Sequence, residues 1–174
     1  SDLYALQAIR LVGRSLATAV KNGQDIKARE DIALANTLSG CVESTSGCIS
    51  EHSIEHALSG FKPELPHGAG LIIVSAAYFT HLAKSGCCDR RMVDMAKALG
   101  KEDAKTPMDF VAALVALQKD CGVDALKLSA YGIQKEDLPR LAAHARKIMG
   151  GLFDVDPCEI TQQDVEAILT ASYR

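Results

Sequence analysis

Residues 51–68 read EHSIEHALSGFKPELPHG and hold three of the chain's five histidines, His52, His56 and His67. Ser53 to about Gly60 has the rhythm of a short helix with His52 and His56 near its start. Phe61 to Pro66 cannot continue that helix, because its two prolines lack a backbone N–H and crowd the preceding turn. The loop therefore delivers His67 to the N-terminus of the next apolar run. Imidazole is the commonest transition-metal ligand and the side chain whose unperturbed pKa lies nearest neutrality, so this cluster points to a metal site or to proton transfer. His52 and His56 lie on one helical face about 6 Å apart, a spacing that suits shared chelation. The same spacing fits surface or hydrogen-bonded core histidines, and the intervening Ser-Ile-Glu is not the HExxH order. A structural zinc wants four protein ligands, whereas His81 and His144 sit in ordinary helical segments, so the site is incomplete within this chain.

Outward from this stretch, every segment reads as helix. Leu3, Leu6, Ile9, Leu11, Val12, Leu16, Ala19 and Val20 predict an amphipathic helix from Asp2 to about Lys21, stopped by Asn22-Gly23. Asp25 is the N-cap of a second helix, from Ile26 to about Ser50, whose end turns small and polar through Ser44, Thr45, Ser46 and Gly47. Gly68 to Lys84 is apolar nearly all round and predicts the central buried helix. Further helices are expected over Asp89–Leu99, from Thr106-Pro107 to about Asp120, over Lys135–Met149 and over Gln162–Tyr173, the last capped by Ile160-Thr161. No alternating segment is long enough for a strand, and no linker divides the chain. The expected fold is all-α, one helical-bundle domain of seven to nine helices spanning 1–174.

Composition agrees with that reading. Apolar residues make up 48% and aromatics 5%, with no Trp, which is the makeup of a packed helical protein. A net charge of −3 with scattered Lys and Arg provides no field for nucleic acid. Ala69 to Phe79 is too short to cross a bilayer, so no membrane is expected. Cys41, Cys48, Cys87, Cys88, Cys121 and Cys158 show no CxxC pair and read as reduced thiols of a cytoplasmic protein. The chain opens Ser-Asp-Leu-Tyr without Met and already in helical rhythm, as a fragment does.

The stretch His52-Ser-Ile-Glu-His56-Ala-Leu-Ser-Gly…Leu65-Pro66-His67-Gly68 resembles the H-x3-H-A-L-(S/G)…LPHG signature of the iron-containing alcohol dehydrogenases. YALQAIRLVGRSLATAVKNGQDIKAREDIALANTLSG resembles the family's first helical pair and DPCEITQQDVEAIL its C-terminal helix, so the likeness runs over essentially the whole chain. The resemblance implies a dehydroquinate synthase-like C-terminal helical domain, paired in the family with an N-terminal nucleotide-binding domain that this chain does not contain. It implies one Fe²⁺, sometimes Zn²⁺, with His52 and His67 among its ligands and the remaining Asp and His on the other domain. His56 is implied to face the nicotinamide and substrate, as catalytic and cofactor-binding residue. NAD or NADP, a small alcohol or aldehyde and a homodimeric parent enzyme are implied with it. The His56 to His67 interval is one residue longer than in the lactaldehyde-reductase branch, which bears on where His67 sits. On this reading the isolated chain is inactive, and the face carrying His52, His56, His67 and the small residues Ser44 to Gly47 is more open than a finished core. The alternatives are a non-catalytic helical metal-binding or interaction domain, a polyol dehydrogenase such as glycerol dehydrogenase, a maleylacetate reductase or a dehydroquinate synthase.

Overall fold

The computed structural model describes all residues 1–174, which form eight α-helices and no strand. In order these are α1 (Asp2–Lys21), α2 (Ile26–Ser46), α3 (Ser50–Phe61), α4 (His67–Ser85), α5 (Asp89–Ala98), α6 (Met108–Asp120), α7 (Leu138–Ile148) and α8 (Gln162–Ser172). Three short 3-10 turns occupy Leu128–Tyr131, Lys135–Asp137 and Gly150–Leu152. The all-helical expectation and its helix count are met. No helix is long and apolar enough to cross a membrane, and no two of the six cysteines form a disulfide.

The helix boundaries follow local chemistry. The Asp25 side chain accepts from the Ala28 N–H and caps α2, as its position suggests. Helix α2 stops at Ser46, short of the expected end, because Gly47 takes φ 72°, a conformation that leaves the helix at little steric cost. The segment expected to be one helix from Lys135 begins as a 3-10 turn and becomes α-helical only at Leu138, where Pro139 enters the first turn without a backbone donor to satisfy. Thr161 and Asp164 form a reciprocal capping box at the start of α8.

The chain divides into two compact units. The first comprises Ser1–Gly47 and Cys88–Asp124, and the second Cys48–Cys87 and Ala125–Arg174. In the first unit α1 packs along α2 and also meets α5 and α6, with α5 against α6. Its α1–α2 core is slight: Ala8, Leu11 and Ala35, flanked by Val12 and Leu38. Leu3 and Val20, part of the apolar pattern of α1, lie in its terminal turns and stay exposed. Small residues allow close approach, and at Gly13 this is obligatory, since a Cβ there would lie 2.6 Å from the Leu99 carbonyl oxygen.

The second unit holds the bulk of the large buried side chains. Helix α3 packs on α4 and α7, and α8 closes the group against α4 and α7. Ile54, Leu58, Leu65, Tyr78, Leu82, Leu128, Ile133, Leu141, Ile160 and Leu169 are all at most 2% exposed. Helix α4 buries Ile73, Val74, Tyr78 and Leu82, but Leu71, Ile72 and Phe79 on its other side are only half-buried. The all-round apolar pattern therefore overstates its burial within the unit.

A buried ionic group joins α1 to α2. Asp31 is 5% exposed; its Oδ2 accepts from Ser15 Oγ at 2.6 Å and pairs with Arg14 at 2.8 Å, while Oδ1 pairs with Lys27 at 3.0 Å. The Ser15 hydroxyl first, then Lys27 and Arg14, hold its carboxyl at about 2. The unfolded chain, with an aspartate near 3.9, binds more protons than the folded one between these values, so the contribution is complete above about pH 4 and is lost as pH falls through 2. Asp31→Asn is accordingly expected to lower stability at pH 7, with its deficit against the parent shrinking as pH drops from about 4 toward 2. Urea denaturation of both proteins across that range measures this difference.

Candidate functional site

Helix α3 has two chemically distinct faces. Glu51, Ile54, Glu55 and Leu58, spaced i, i+3, i+4 and i+7, are buried. His52 and His56 lie on the other side, His52 half-buried and His56 exposed. The inward face thus carries two carboxylates at positions where a helix of this kind ordinarily places apolar side chains. Burial pushes the Glu51 carboxyl up to about 8.

The start of α3 is fixed by a partner 106 residues away. Asp156 Oδ1 accepts from the Ser50 N–H at 3.0 Å, doing the work of an N-cap that neither Ile49 nor Ser50 performs. The Tyr78 hydroxyl donates to the same oxygen at 2.8 Å and lies 3.1 Å from Ser50 Oγ. Burial, the largest influence, drives the Tyr78 hydroxyl's pKa well upward, so it remains a donor. Ser53 Oγ then donates to the Ala145 carbonyl at 2.7 Å, tying α3 to α7. With its first turn capped from outside, α3 begins at Ser50 rather than at Ser53 as the local pattern suggests.

Helix α4 supplies the third imidazole. Pro66 is the N-cap of α4, with extended backbone, and His67 is its first residue. The His67 ring centroid lies 5.4 Å from that of His52 and 5.4 Å from that of His56. The three histidines singled out by the sequence are thus brought together by α3 and α4. His67 is 51% exposed at its side chain, and its Nδ1 meets Glu55 Oε2, whose side chain is fully buried. Ligand-capable atoms of Glu55, His56 and His67 all lie within 4.8 Å of one another. His56 and His67 are exposed and His52 is half-buried, so the three are not sealed inside the second unit; in the first unit Ser44–Gly47 is exposed.

Sequence reasoning missed two residues here. Glu55 was visible beside His56, but its pairing with His67 depends on the turn between α3 and α4. Asp156 has no local signature as a cap for Ser50, because the contact is purely tertiary.

These features define an all-helical region in which three imidazoles converge. The family model described as "Fe-containing alcohol dehydrogenase family, C-terminal" matches residues 1–173, and the chain belongs to that family. It is 30% identical over 192 residues to human mitochondrial hydroxyacid-oxoacid transhydrogenase, covering 100% of this chain and 40% of the relative. Alcohol dehydrogenase 4 of Saccharomyces cerevisiae is 29% identical over 177 residues, covering 99% of this chain and 44% of the relative. Among solved structures, an archaeal halo-thermophilic alcohol dehydrogenase from a Red Sea brine pool superposes with TM-score 0.89 at 31% identity, over 98% of this chain and 44% of that one. The chain thus spans less than half the length of the curated relatives named here.

The polar anchor of α3 is directly testable. Tyr78→Phe is expected to cost about 1 kcal/mol and Asp156→Ala about 1–3 kcal/mol, because the latter leaves the Ser50 N–H and the Tyr78 hydroxyl without their acceptor. Their shared hydrogen bond makes the double variant less destabilised than the two losses added together. A denaturant double-mutant cycle reads that coupling.

Proposed function

We propose that this chain is the metal-holding helical region of an iron-type, NAD(P)-dependent alcohol dehydrogenase or aldehyde reductase. In this reading His52 and His67 are metal ligands and His56 lies beside the nicotinamide and substrate. The observation that carries it is the convergence of three imidazoles, ring centroids 5.4 Å apart for each pair involving His67, on one accessible patch of α3 and α4. The donor set fits Fe²⁺ or Zn²⁺, both of which accept imidazole nitrogen. The fit is supported by the buried Glu55 carboxylate, whose Oε1 has no hydrogen-bond partner, beneath the His67 ring. A bound divalent ion supplies Lewis acidity toward an alcohol or carbonyl oxygen, and NAD(P) the hydride acceptor or donor.

The chain's own contribution is orientation. His52 and His67 present imidazole rings from two helices whose mutual packing fixes the separation of their backbones before any ligand binds. Neutral ligands also leave a cation's charge undiminished. The exposure of His56 at the same patch supports a role for it in hydrogen-bonding a polar group of substrate or nicotinamide. Relatives named for alcohols and for 1,3-propanediol support a small hydroxylated or carbonyl substrate. The chain spans only 40–44% of the relatives named above; the nucleotide-binding domain and the remaining ligands are proposed to lie outside residues 1–174, and these residues by themselves to be inactive.

A second reading has one observation in its favour. The atoms of Glu55, His56 and His67 within 4.8 Å could form a non-catalytic metal site wholly inside this chain. It ranks second because Glu55 is fully buried and one of its oxygens is already engaged by His67.

Metal titration of histidine variants separates the two readings. His52→Ala and His67→Ala are each expected to abolish measurable Co²⁺ binding, whereas His56→Ala retains it. Equal loss in His56→Ala with undiminished binding in His52→Ala supports the second reading instead. The unmodified chain is expected to produce no NAD(P)H from any alcohol, and turnover by the pure chain overturns its proposed inactivity.

A further inference from the structure

We infer that Glu55 is the positioning residue of His67: it accepts the Nδ1 proton of that ring, holds Nε2 unprotonated toward the open side, and owes its place to the missing side chain at Gly70. The inference deepens the proposed function and rests on its assignment of His67 as a ligand.

Glu55 is the one charged residue among the largest fully buried side chains. An ionised carboxylate in such a place is costly unless it is hydrogen-bonded or paired. Its Oε2 meets His67 Nδ1, and its Oε1 has no hydrogen-bond partner. A carboxylate can only accept, so Nδ1 is the donor of this contact, and the neutral form of the ring carries its one proton there, with the Nε2 lone pair left to bind a metal. Helix geometry gives Glu55 this access: one residue before His56 and three after His52, it lies on the inward face while both histidines lie outward.

Gly70 provides independent support. A Cβ at this position would stand 2.7 Å from both Glu55 Cγ and Glu55 Oε1, closer than real Cβ contacts come. Gly70 is buried in the first turn of α4, three residues after His67, on the same stretch that the Glu55 carboxylate underlies. Glycine in a helix is less favourable than alanine, because it gives up more backbone freedom on folding. Here the space it leaves is occupied by the carboxylate that orients the ligand. Glu55 is therefore not a ligand competing with His52; it acts through His67, as carboxylates behind metal-bound imidazoles do.

The test uses the 174-residue chain labelled with ¹⁵N-histidine. Long-range ¹H–¹⁵N correlation reads which ring nitrogen of His67 bears the proton in the metal-free chain, and Co²⁺ titration reads binding through paramagnetic broadening of the same ring. The expected result is His67 as the Nδ1–H tautomer in the parent and in Glu55→Gln, whose amide oxygen still accepts. It becomes predominantly Nε2–H in Glu55→Leu, which fills the space without an acceptor, and in Gly70→Ala. Co²⁺ affinity at His67 falls by about 10–100-fold in Glu55→Leu and recovers most of the way in Glu55→Gln. A purely space-filling role for Glu55 predicts no difference between Gln and Leu. Circular dichroism of each variant excludes unfolding as the cause of a loss. An Nε2–H or doubly protonated His67 in the parent overturns the inference, as does Glu55→Leu matching the parent in tautomer or in Co²⁺ affinity while His67→Ala loses binding. If His67→Ala binds Co²⁺ like the parent, the ligand assignment under the proposed function fails and the metal half of this inference falls with it; the tautomer result separately decides the hydrogen bond.

Discussion

The second unit depends on one constraint: α3 must bury Ile54 and Leu58 against α4 and α7, and a helix of period 3.6 then fixes what every other α3 residue faces. Glu51 and Glu55 are forced inward by their spacing from Ile54 and Leu58, and His52 and His56 are forced outward. Hydrophobic burial of two aliphatic side chains therefore decides the placement of four ionisable ones. At roughly 1.5–3 kcal/mol for each buried aliphatic side chain, that placement is well supported energetically.

The inward carboxylates remain because their surroundings accommodate them in different ways. Glu55 finds His67, carried to it by the turn through Lys62–Pro66 and seated at the first position of α4. Glu51 has no comparable ion pair, and burial raises its carboxyl toward the neutral form. One helix turn thus holds one carboxyl poised as an acceptor and another biased to keep its proton, with His52 between them in sequence and His56 just beyond, both on the opposite face. A catalytic or metal-binding surface gains from such an arrangement, since its groups are oriented before any ligand arrives.

The two units differ in how they are held. In the first, small side chains bring α1 and α2 close, and Asp31 anchors them through Ser15, Arg14 and Lys27. In the second, large side chains fill the interior, while Asp156 gathers Ser50 and Tyr78 at the start of the histidine helix. Packing of the second kind constrains side-chain rotamers tightly, which suits a unit that carries converging imidazoles.

Much of this was legible in the sequence because the signals are local. The 3.6-residue apolar rhythm, the Asp25 and Thr161 caps and the two prolines before His67 each act through neighbours within a turn, so the helices and the family signature could be read directly. The sequence also singled out His52, His56 and His67 as a group. Tertiary structure alone decided that all three rings meet, that Glu55 turns inward to His67, and that Gly70 must lack a side chain to let it. It alone decided that α3 begins at Ser50, because its cap is Asp156. These contacts join residues on different elements, and their strength depends on burial and distance, neither of which is encoded in the spacing along a single helix.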